Sequence, residues 1–285
     1  MQKASAIQIQ LDEIITIEEL TDVFESLSST QIAKIKDKVE LSTKFFERLW
    51  QVYSALRVDP TSQMTYVRPI AEGKNQVFVM ITAESGLNGD IDDRLINAVL
   101  NDYKPNETDI ICIGQHGAGQ LRQRRIKYRN YFAVPVSENY VDVSPILEAV
   151  APYPEITVYY ESYASLGTQE IKKINLISSV REMSAEIDPD KQLITGADTV
   201  FEPSLDVIVD QMEITMVGLA LSQVILMSSL AQYASRFNAM VLAKRRALEM
   251  LLDYRLDYYR AKRYENDKRL REMMVGLKKK RRARK

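Results

Sequence analysis

Apolar residues recur with helical spacing along the first part of the chain. Residues 9–56 contain neither proline nor glycine, and their apolar positions alternate by three and four, the heptad spacing of a helix that pairs with another helix. The series has one polar member and consists of Ile32, Ile35, Val39, Ser42, Phe46, Leu49, Tyr53 and Leu56. We predict that residues 1–58 form an N-terminal coiled-coil segment, whose helix from Ile9 to Leu56 is on the order of 70 Å long at about 1.5 Å per residue.

The earlier part of this helix has the same spacing in a different frame. Ile17, Leu20, Phe24 and Leu27 are offset by one residue from the later series. A shift of this kind changes the supercoil locally. We therefore predict a slight bend where the two series meet.

A second heptad series lies at the other end of the chain. No proline follows Pro203, and the series has one charged member in Phe237, Met240, Lys244, Ala247, Leu251, Tyr254, Tyr258 and Ala261. This spacing predicts a helix over residues 204–277, followed by a basic tail over 278–285. Two such series predict that the terminal helices pair with each other.

The charges of the two ends favour antiparallel pairing. Residues 1–30 carry six acidic side chains against one basic, whereas residues 241–285 carry seventeen basic side chains against six acidic. An antiparallel pair brings these opposite charges together. Exposed ion pairs contribute only ~0.2–1 kcal/mol each. We therefore expect these charges to fix the alignment of the two helices more than they stabilise the pair.

Apolar runs alternate with helical patterns between the two helices, over residues 59–203. The predicted helices are DDRLINAVLNDY and SPILEAV, and the predicted strands are VFVMIT (77–82), DIICIG (109–114), ITVYYESY (156–163) and KKINLISS (172–179). This alternation is typical of a parallel sheet. The predicted fold class is α/β: a long antiparallel coiled coil of the N- and C-terminal helices with an inserted small α/β domain.

Composition narrows the class of protein further. The 285 residues are 46% hydrophobic, enough to build a core. Cys112 is the single cysteine, which excludes an internal disulfide and fits a reducing compartment. The N terminus resembles neither a secretory signal nor a transit peptide. The apolar run MVGLALSQVILMSSLA is interrupted by polar residues and is too short to predict a membrane span.

Glycines after two predicted strands raise the question of a nucleotide site. TAESGLNGDIDD and GQHGAG match neither the dinucleotide nor the P-loop pattern, and Asp90, Asp92 and Asp93 put negative charge where a phosphate would bind. His116, the only histidine, has no second ligand close in sequence. We expect no catalytic residues and no cofactor or metal bound by this chain.

Several stretches together resemble the gamma subunit of rotary F-type ATP synthases, over nearly the whole chain. LTDVFESLSSTQIAKI (20–35) resembles the family pattern ITKAMxMVAAxKxRKA, ITAESGLNGDID resembles ITSDRGLCGGFN, IGQHG resembles GxKG, VYYESYASLGTQE resembles VYNxFxSxxxQ, and VFEPS (200–204) resembles YxFEPS. Near the C terminus, SSLAQYASRFNAM and LDYYRAKRYENDKRLREM resemble LASEHAARMxAM and LxYNxARQAxITxELxEI. Each motif is weak alone, but their order and spacing are specific.

The resemblance implies a non-catalytic central shaft with a Rossmann-like middle domain. It implies that the helices stand inside a hexamer of three alpha-type and three beta-type ATPase subunits, which bind nucleotide and magnesium. An epsilon-type subunit or another foot protein, and a membrane rotor ring, are the further implied partners; nucleic acid is not expected. The implied location is cytoplasmic, peripheral to the inner face of the cell membrane. The residues expected to contact the catalytic subunits are Arg260, Lys262, Arg263, Arg236, Met240, Leu20, Phe24 and Gln232.

The sequence departs from the family mainly in its charges. The family's early helix is basic, whereas here it is acidic, and the family's LCGG is replaced by LNGD. Family members end in a small apolar tip, but this chain ends in a basic tail that includes Lys278, Lys279, Lys280, Arg281 and Arg282. Such charges are costly to desolvate in an apolar sleeve, so we expect a tail that passes through or outside the bearing, or an acidic bearing. These departures favour a diverged, hydrolysis-driven motor over a synthase.

Two other classes of function stay open at this point. A stand-alone coiled-coil adaptor would use the basic tail to bind nucleic acid or membrane, with salt-sensitive binding and no effect on an ATPase. A nucleotide-dependent enzyme built on the α/β domain would require a bound dinucleotide.

Overall fold

The computed structural model describes residues 3–56, 75–135, 141–176 and 205–282. The chain divides into two compact units: a terminal unit, Met1–Leu27 with Phe237–Lys285, and a central unit, Ser28–Arg236. Two helices, α1 (Ala4–Leu56) and α5 (Leu205–Arg282), contribute to both units. Both predicted terminal helices are therefore present, and the second continues to Arg282, into the segment predicted as a tail.

The central unit contains a five-stranded sheet in the order β3-β2-β1-β4-β5. Its strands are β1 (Gln76–Ile81), β2 (Thr108–Ile113), β3 (Asn130–Phe132), β4 (Glu155–Tyr163) and β5 (Gln169–Asn175). The strands β1 to β4 are parallel to one another, whereas the edge strand β5 pairs antiparallel with β4. The predicted parallel sheet is confirmed, with one antiparallel edge strand that the apolar pattern did not distinguish.

Helices cover both faces of this sheet, as expected for strands with continuous apolar runs. On one face, α2 (Ile91–Asp102) and α3 (Gln115–Gln123) pack Leu95 and Leu121 against Phe78 and Met80 of β1. On the other face, α4 (Ser144–Val150) packs with central-unit parts of α1 and α5 in a larger core. Each fully buried aliphatic or aromatic side chain stabilises the fold by about 1.5–3 kcal/mol.

Within the central unit, α1 and α5 contact each other as well as the sheet. Ile35 packs against Leu226 and Leu230, and Nε2 of Gln223 donates a hydrogen bond to Oγ1 of Thr43 at 3.1 Å. Numbering rises along α1 as it falls along α5, so the two segments are antiparallel in this unit.

The terminal unit is an antiparallel pair of helices. Ile14 and Leu11 pack against Ala247 and Leu251, and Ile7 packs against Ala261. The backbone N–H of Ala4 donates to Oε1 of Glu265 at 2.9 Å. Every one of the predicted α5 heptad positions from Met240 to Ala261 is buried or half-buried, so the predicted coiled coil and its direction are confirmed.

The predicted offset in the early α1 series is wrong. Ile17, Leu20 and Leu27 are more than half exposed. A different series, spaced by three and four, is buried or half-buried along α1: Ala4, Ile7, Leu11, Ile14, Glu18, Thr21 and Glu25. These positions share one heptad frame with Ser28, Ile32 and Ile35, so the frame does not change. Polar residues occupy it because Lys244, the charged heptad member of α5, forms ion pairs with Asp22 and Glu25.

Smaller elements differ from the sequence-based expectation. The strand β3 and the helix α3 were not predicted, because α3 begins within the glycine-rich stretch GQHGAG. The last predicted strand corresponds to β5, which ends at Asn175. Residues 177–179 lie outside the described residues, as does all of VFEPS (200–204). A window of mean hydropathy 1.8 within Ile214–Leu277 has the length and composition of a membrane span, but 72% of it is buried inside the protein, which is typical of a core helix.

Candidate functional site

The last described turns of α5 are fully exposed. After Ala261, every side chain from Lys262 to Leu277 is exposed. Charged and apolar side chains alternate there, and no apolar stripe is covered by the described residues. A helix of this kind is stable in a protein only with help from partners or from its own side-chain pairs.

The cations predicted as partner contacts lie at the start of this exposed segment. Arg260 forms an exposed ion pair with Asp257, with Nη1 3.1 Å from Oδ1. The Lys262 ammonium lies 5.4 Å from the centre of the Tyr258 ring, and Arg263 is exposed. All three side chains are accessible to another protein.

Four residues of α1 form an exposed apolar stripe in the terminal unit. Its members, spaced by three and four, are Ile17, Leu20, Phe24 and Leu27; we call this the α1 stripe. Leu20 is 52% and Leu27 54% exposed, and Phe24 is half-buried. Heptad spacing on a face turned away from α5 is typical of a helix with a second interaction surface.

The other predicted contact residues are less accessible. Met240 is 6% exposed at a heptad position, so its side chain has little surface to offer a partner. Gln232 is buried and donates to Oγ of Ser228 at 3.1 Å, whereas Arg236 is half-buried. The basic residues Lys278, Lys279, Lys280, Arg281 and Arg282 continue α5, and their side chains lie outside the described part of the structure.

A buried polar cluster lies where the parallel strands end in the central unit. Asp92, in the first turn of α2, accepts hydrogen bonds from the backbone N–H of Ala83 (3.1 Å) and Nδ2 of Asn88 (3.2 Å). Nδ1 of His116 lies 2.8 Å from its second oxygen. A proton on Nδ1 of His116 would donate a hydrogen bond to this carboxyl oxygen. The only histidine of the chain thus orders the loop after β1.

Asn88 connects this loop to α5. Its side-chain oxygen accepts from Nε of Arg236 at 2.9 Å, and its backbone carbonyl accepts from Oγ of Ser235 at 2.6 Å. Arg236 also donates to the carbonyl (3.3 Å) and hydroxyl (2.9 Å) of Ser85. Burial lowers the pKa of Arg236 from its usual value. Arg236 is therefore a structural residue that fastens α5 to the sheet domain.

Glu161, on β4, completes the cluster. Its side chain is fully buried, and Oε2 accepts a hydrogen bond from Oγ of Ser228 on α5 at 3.3 Å. Burial, with the neighbouring Asp92 carboxylate, raises the pKa of Glu161 well above its usual value. The strand β4 thus carries an acid into the protein interior next to the aromatic residues Tyr159 and Tyr160.

The glycines after β2 serve close packing. A Cβ on Gly114, whose φ is +99°, would lie 2.1 Å from the carbonyl oxygen of Thr82, and one on Gly117 would lie 2.5 Å from the Thr82 hydroxyl. That hydroxyl donates to the carbonyl of Ile113 and accepts from the N–H of Gly117. These glycines bring α3 against β1, and the buried Asp92 carboxylate occupies the start of α2 where an anion would otherwise bind.

Cys112 is enclosed in the same region. Its side chain is fully buried, and burial raises the pKa of the thiol to about 12. Because the thiolate is the reactive form, Cys112 is a core residue, as its position in an apolar run indicated.

An antiparallel pair of terminal helices, an α/β domain encoded between them and an exposed helical surface define a class of coiled-coil proteins with an inserted α/β domain. Comparisons with known proteins identify the family. A family model described as ATP synthase matches residues 3–278. The chain therefore belongs to the ATP synthase family, as a chain of the gamma type.

Individual relatives agree with this assignment over nearly full length. The ATP synthase gamma chain of Cytophaga hutchinsonii is 21% identical and is covered over 98% of its length by 97% of this chain. That of Christiangramia forsetii is 23% identical with the same coverage. In the mitochondrial ATP synthase of Euglena gracilis, in rotational state 3, one chain matches at a TM-score of 0.66 and 13% identity, over 99% of this chain and 96% of that chain.

Sequence reasoning identified the exposed cations but missed the buried cluster. Asp92 was interpreted only as a charge that disfavours phosphate, and Glu161 only as part of a strand. The sequence did contain one indication of the cluster, which is Glu161 within the predicted strand ITVYYESY. A glutamate in a buried strand rarely lacks a partner. Its partners, Asp92 and Ser228, are 69 and 67 residues away along the chain, so no local pattern joins them.

Proposed function

We propose that this chain is the central rotor shaft of an F-type or F-type-like rotary ATPase. In this function it transmits torque between a hexamer of alpha- and beta-type subunits and a foot complex, and its asymmetric surface holds the three catalytic sites in different states. The observation that carries the proposal is the exposed segment of α5, in which sixteen consecutive side chains from Lys262 to Leu277 are exposed.

The exposed segment has the chemistry of an exchangeable contact surface. Arg260, Lys262 and Arg263 can meet carboxylates of surrounding subunits, and each exposed charge pair contributes only ~0.2–1 kcal/mol. Contacts of this strength can be broken and remade as a shaft turns. Large buried anchors, which contribute several kcal/mol each, would hold the shaft in one position.

The α1 stripe supports a second contact surface of different character. Leu20 and Leu27 supply exposed apolar area, while Asp12, Glu13 and Glu19 give the same helix exposed negative charge. A partner that binds the α1 stripe would therefore present both apolar and basic side chains to it. The terminal unit accordingly offers acidic contacts on α1 and basic contacts on α5.

The proposal assigns nucleotide and magnesium to the partner subunits and none to this chain. It places the complex at the inner, cytoplasmic face of the cell membrane, as a peripheral assembly. A basic C-terminal end from Lys278 onward would lie in an acidic bearing of the hexamer or pass beyond it, because unpaired charges are costly in an apolar sleeve.

Purification from the native source tests the assembly. A full-length chain with an affinity tag, isolated under mild conditions, is expected to carry two large P-loop subunits in a one-to-three-to-three ratio. A monodisperse homodimer without such companions would contradict the shaft function and favour the adaptor.

Whether the complex hydrolyses ATP or synthesises it is a separate part of the proposal. The acidic early helix, the LNGD loop and the basic end favour a hydrolysis-driven motor. Such a motor is expected to purify with the hexamer but without proton-channel subunits, whereas a synthase brings a membrane rotor ring with it. Mass spectrometry of the same preparation decides between them.

A further inference from the structure

The buried Glu161 side chain is surrounded by hydrogen-bond acceptors and contains one oxygen that lacks a donor. Among the described residues, none donates a hydrogen bond to Oε1 of Glu161, although this atom is inaccessible to water. Burial and the neighbouring Asp92 carboxylate both raise the pKa of Glu161. Two ionised carboxylates in this position would repel each other and would leave Oε1 unsatisfied, which is costly in the interior.

The hydrogen bonds around Asp92 decide which of the two acids is ionised. Asp92 accepts from the N–H of Ala83 and from Nδ2 of Asn88, and Nδ1 of His116 lies 2.8 Å from it. All three groups can donate to a carboxylate, so the proton that the two acids share is placed on Glu161. Glu161, by contrast, receives one hydrogen bond, from Ser228. A proton on Oε1 of Glu161 would donate to Asp92 and satisfy both groups.

Among the described residues, no cation forms an ion pair with Glu161. Ile171 lies opposite it on β5, and α5 presents Ser228 and Gln232 to it. The titratable groups of this cluster on the packed elements are Asp92 of α2, His116 of α3 and Arg236 of α5, and the last two contact Asp92 and Asn88, respectively. Beyond Gln232, the adjoining groove is lined by Lys34, Asp37 and Lys38 of α1 and by Glu84.

We propose that Glu161 and Asp92 form a buried proton-binding site, in which one shared proton fastens helix α5 to the sheet of the central unit. The proton resides on Glu161 and completes a chain of hydrogen bonds from Asp92 through Glu161 and Ser228 to Gln232. The site belongs to the central unit alone, and it is independent of the rotor function proposed above.

This arrangement makes the central unit sensitive to pH. The folded protein retains the Glu161 proton to a higher pH than the unfolded chain does. The folded state therefore loses stability as the pH rises above the ordinary range of a glutamate, and continues to lose it until Glu161 itself ionises. Ionisation would place a second negative charge beside Asp92 and weaken the attachment of α5 at Ser228.

Thermal unfolding of the full chain between pH 5 and pH 9 tests the proposal. Glu161→Gln is the informative variant, because its amide can donate to Asp92 and accept from Ser228 as the protonated acid does. We expect the Tm of the unmodified protein, relative to that of Glu161→Gln, to fall by about 3 °C or more across this range, the shift expected for a tenfold change in proton affinity. Taking the difference removes the pH dependence that the two proteins have in common.

Asp92→Asn serves as the control within the pair. It removes an ionised acceptor from three donors, so we expect a lower Tm at every pH. It also removes the charge that opposes ionisation of Glu161, so the residual dependence on pH should shrink. If Glu161→Gln lowers the Tm at every pH and the unmodified protein shows no relative fall, Glu161 is ionised and the proposal is overturned.

Infrared spectroscopy of the unmodified protein provides a readout that does not depend on a folded variant. With carbon-13 in the glutamate side chains, we expect a carboxylic-acid C=O band at neutral pH, which disappears on alkalinisation. Absence of that band at neutral pH contradicts the shared proton.

Hydrogen exchange measures the structural consequence. The free energy of opening at the α5 amides near Ser228 should decrease as the pH rises, and in Glu161→Gln it should not.

Discussion

At the scale of single residues, close approach explains why the loop after β2 is rich in glycine. Gly114 and Gly117 both face Thr82, whose hydroxyl is fixed by hydrogen bonds to Ile113 and Gly117. Gly119, two residues further along α3, has no atom within 4 Å of the position of a Cβ. Glycines that look equivalent in the sequence therefore have different physical roles.

Alanine substitutions separate these roles. Gly117→Ala is expected to destabilise the central unit by about 2–4 kcal/mol, because Thr82 must move and lose its hydrogen bonds. Gly119→Ala is expected to stabilise it by about 0.4–1 kcal/mol, since alanine is the better helix former. Chemical denaturation monitored by circular dichroism measures both; equal effects of the two variants would contradict this account.

Cys112 offers a second test at this scale. Because the thiol is buried and its pKa is raised to about 12, the native chain is expected to resist maleimide labelling at pH 7 and to react only after unfolding. Counting labels by mass spectrometry, with and without denaturant, checks this. Rapid labelling of the native chain would show that the strand core opens readily.

At the scale of elements, the helix pair of the terminal unit depends on a few apolar contacts and a polar interruption. Leu11, Ile14 and Leu251 supply the apolar part. Thr21 and Glu25 occupy the next heptad positions and lie near Lys244, whose pKa is raised chiefly by its hydrogen bond to Asp22. A polar interruption of this type specifies register rather than stability, so we expect register to be fixed near Lys244.

Neighbouring leucines of α5 test the burial pattern. Leu251 is 6% exposed and Leu252 63% exposed. We expect Leu251→Ala to destabilise the terminal unit by about 2–3 kcal/mol through lost burial and a cavity, whereas Leu252→Ala changes its stability by less than about 0.5 kcal/mol. Hydrogen exchange of α1 amides near Leu11 measures the local stability. A comparable loss of protection in Leu252→Ala would place the wrong face of α5 at the interface.

At the scale of the whole molecule, function depends on surface that the chain does not cover itself. Replacing Arg260, Lys262 and Arg263 by glutamate should leave helix content unchanged, because all three are exposed. The same change should weaken association with the ATPase subunits about tenfold or more, since several weak attractions become repulsions. Binding of the purified hexamer to immobilised full-length chain measures this effect.

A matched charge reversal on the sheet domain controls this prediction. Lys104 and Lys172 are also exposed and each has an acidic neighbour. Lys104→Glu with Lys172→Glu should not alter binding to the hexamer. Equal loss in both sets of variants would indicate a general charge effect rather than a contact at the start of the exposed α5 segment.

The sequence by itself determined the periodic features of this protein. Helical heptads without proline or glycine specified α1 and α5, continuous apolar runs specified β1, β2 and β4, and opposite charges at the two ends specified antiparallel pairing. These features depend on neighbours within a few residues or on net charge, so the chain order contains them. The order and spacing of short motifs likewise pointed to the family before any fold was known.

Tertiary structure decided which of several apolar or polar positions face inward. It turned Ile17, Leu20 and Leu27 outward and put Thr21 and Glu25 at heptad positions, because an ion pair with Lys244 compensates a polar interface. It also brought Glu161 of β4 to Asp92 of α2 and Ser228 of α5. Burial and hydrogen bonding depend on which distant segments meet, and local sequence does not encode that meeting.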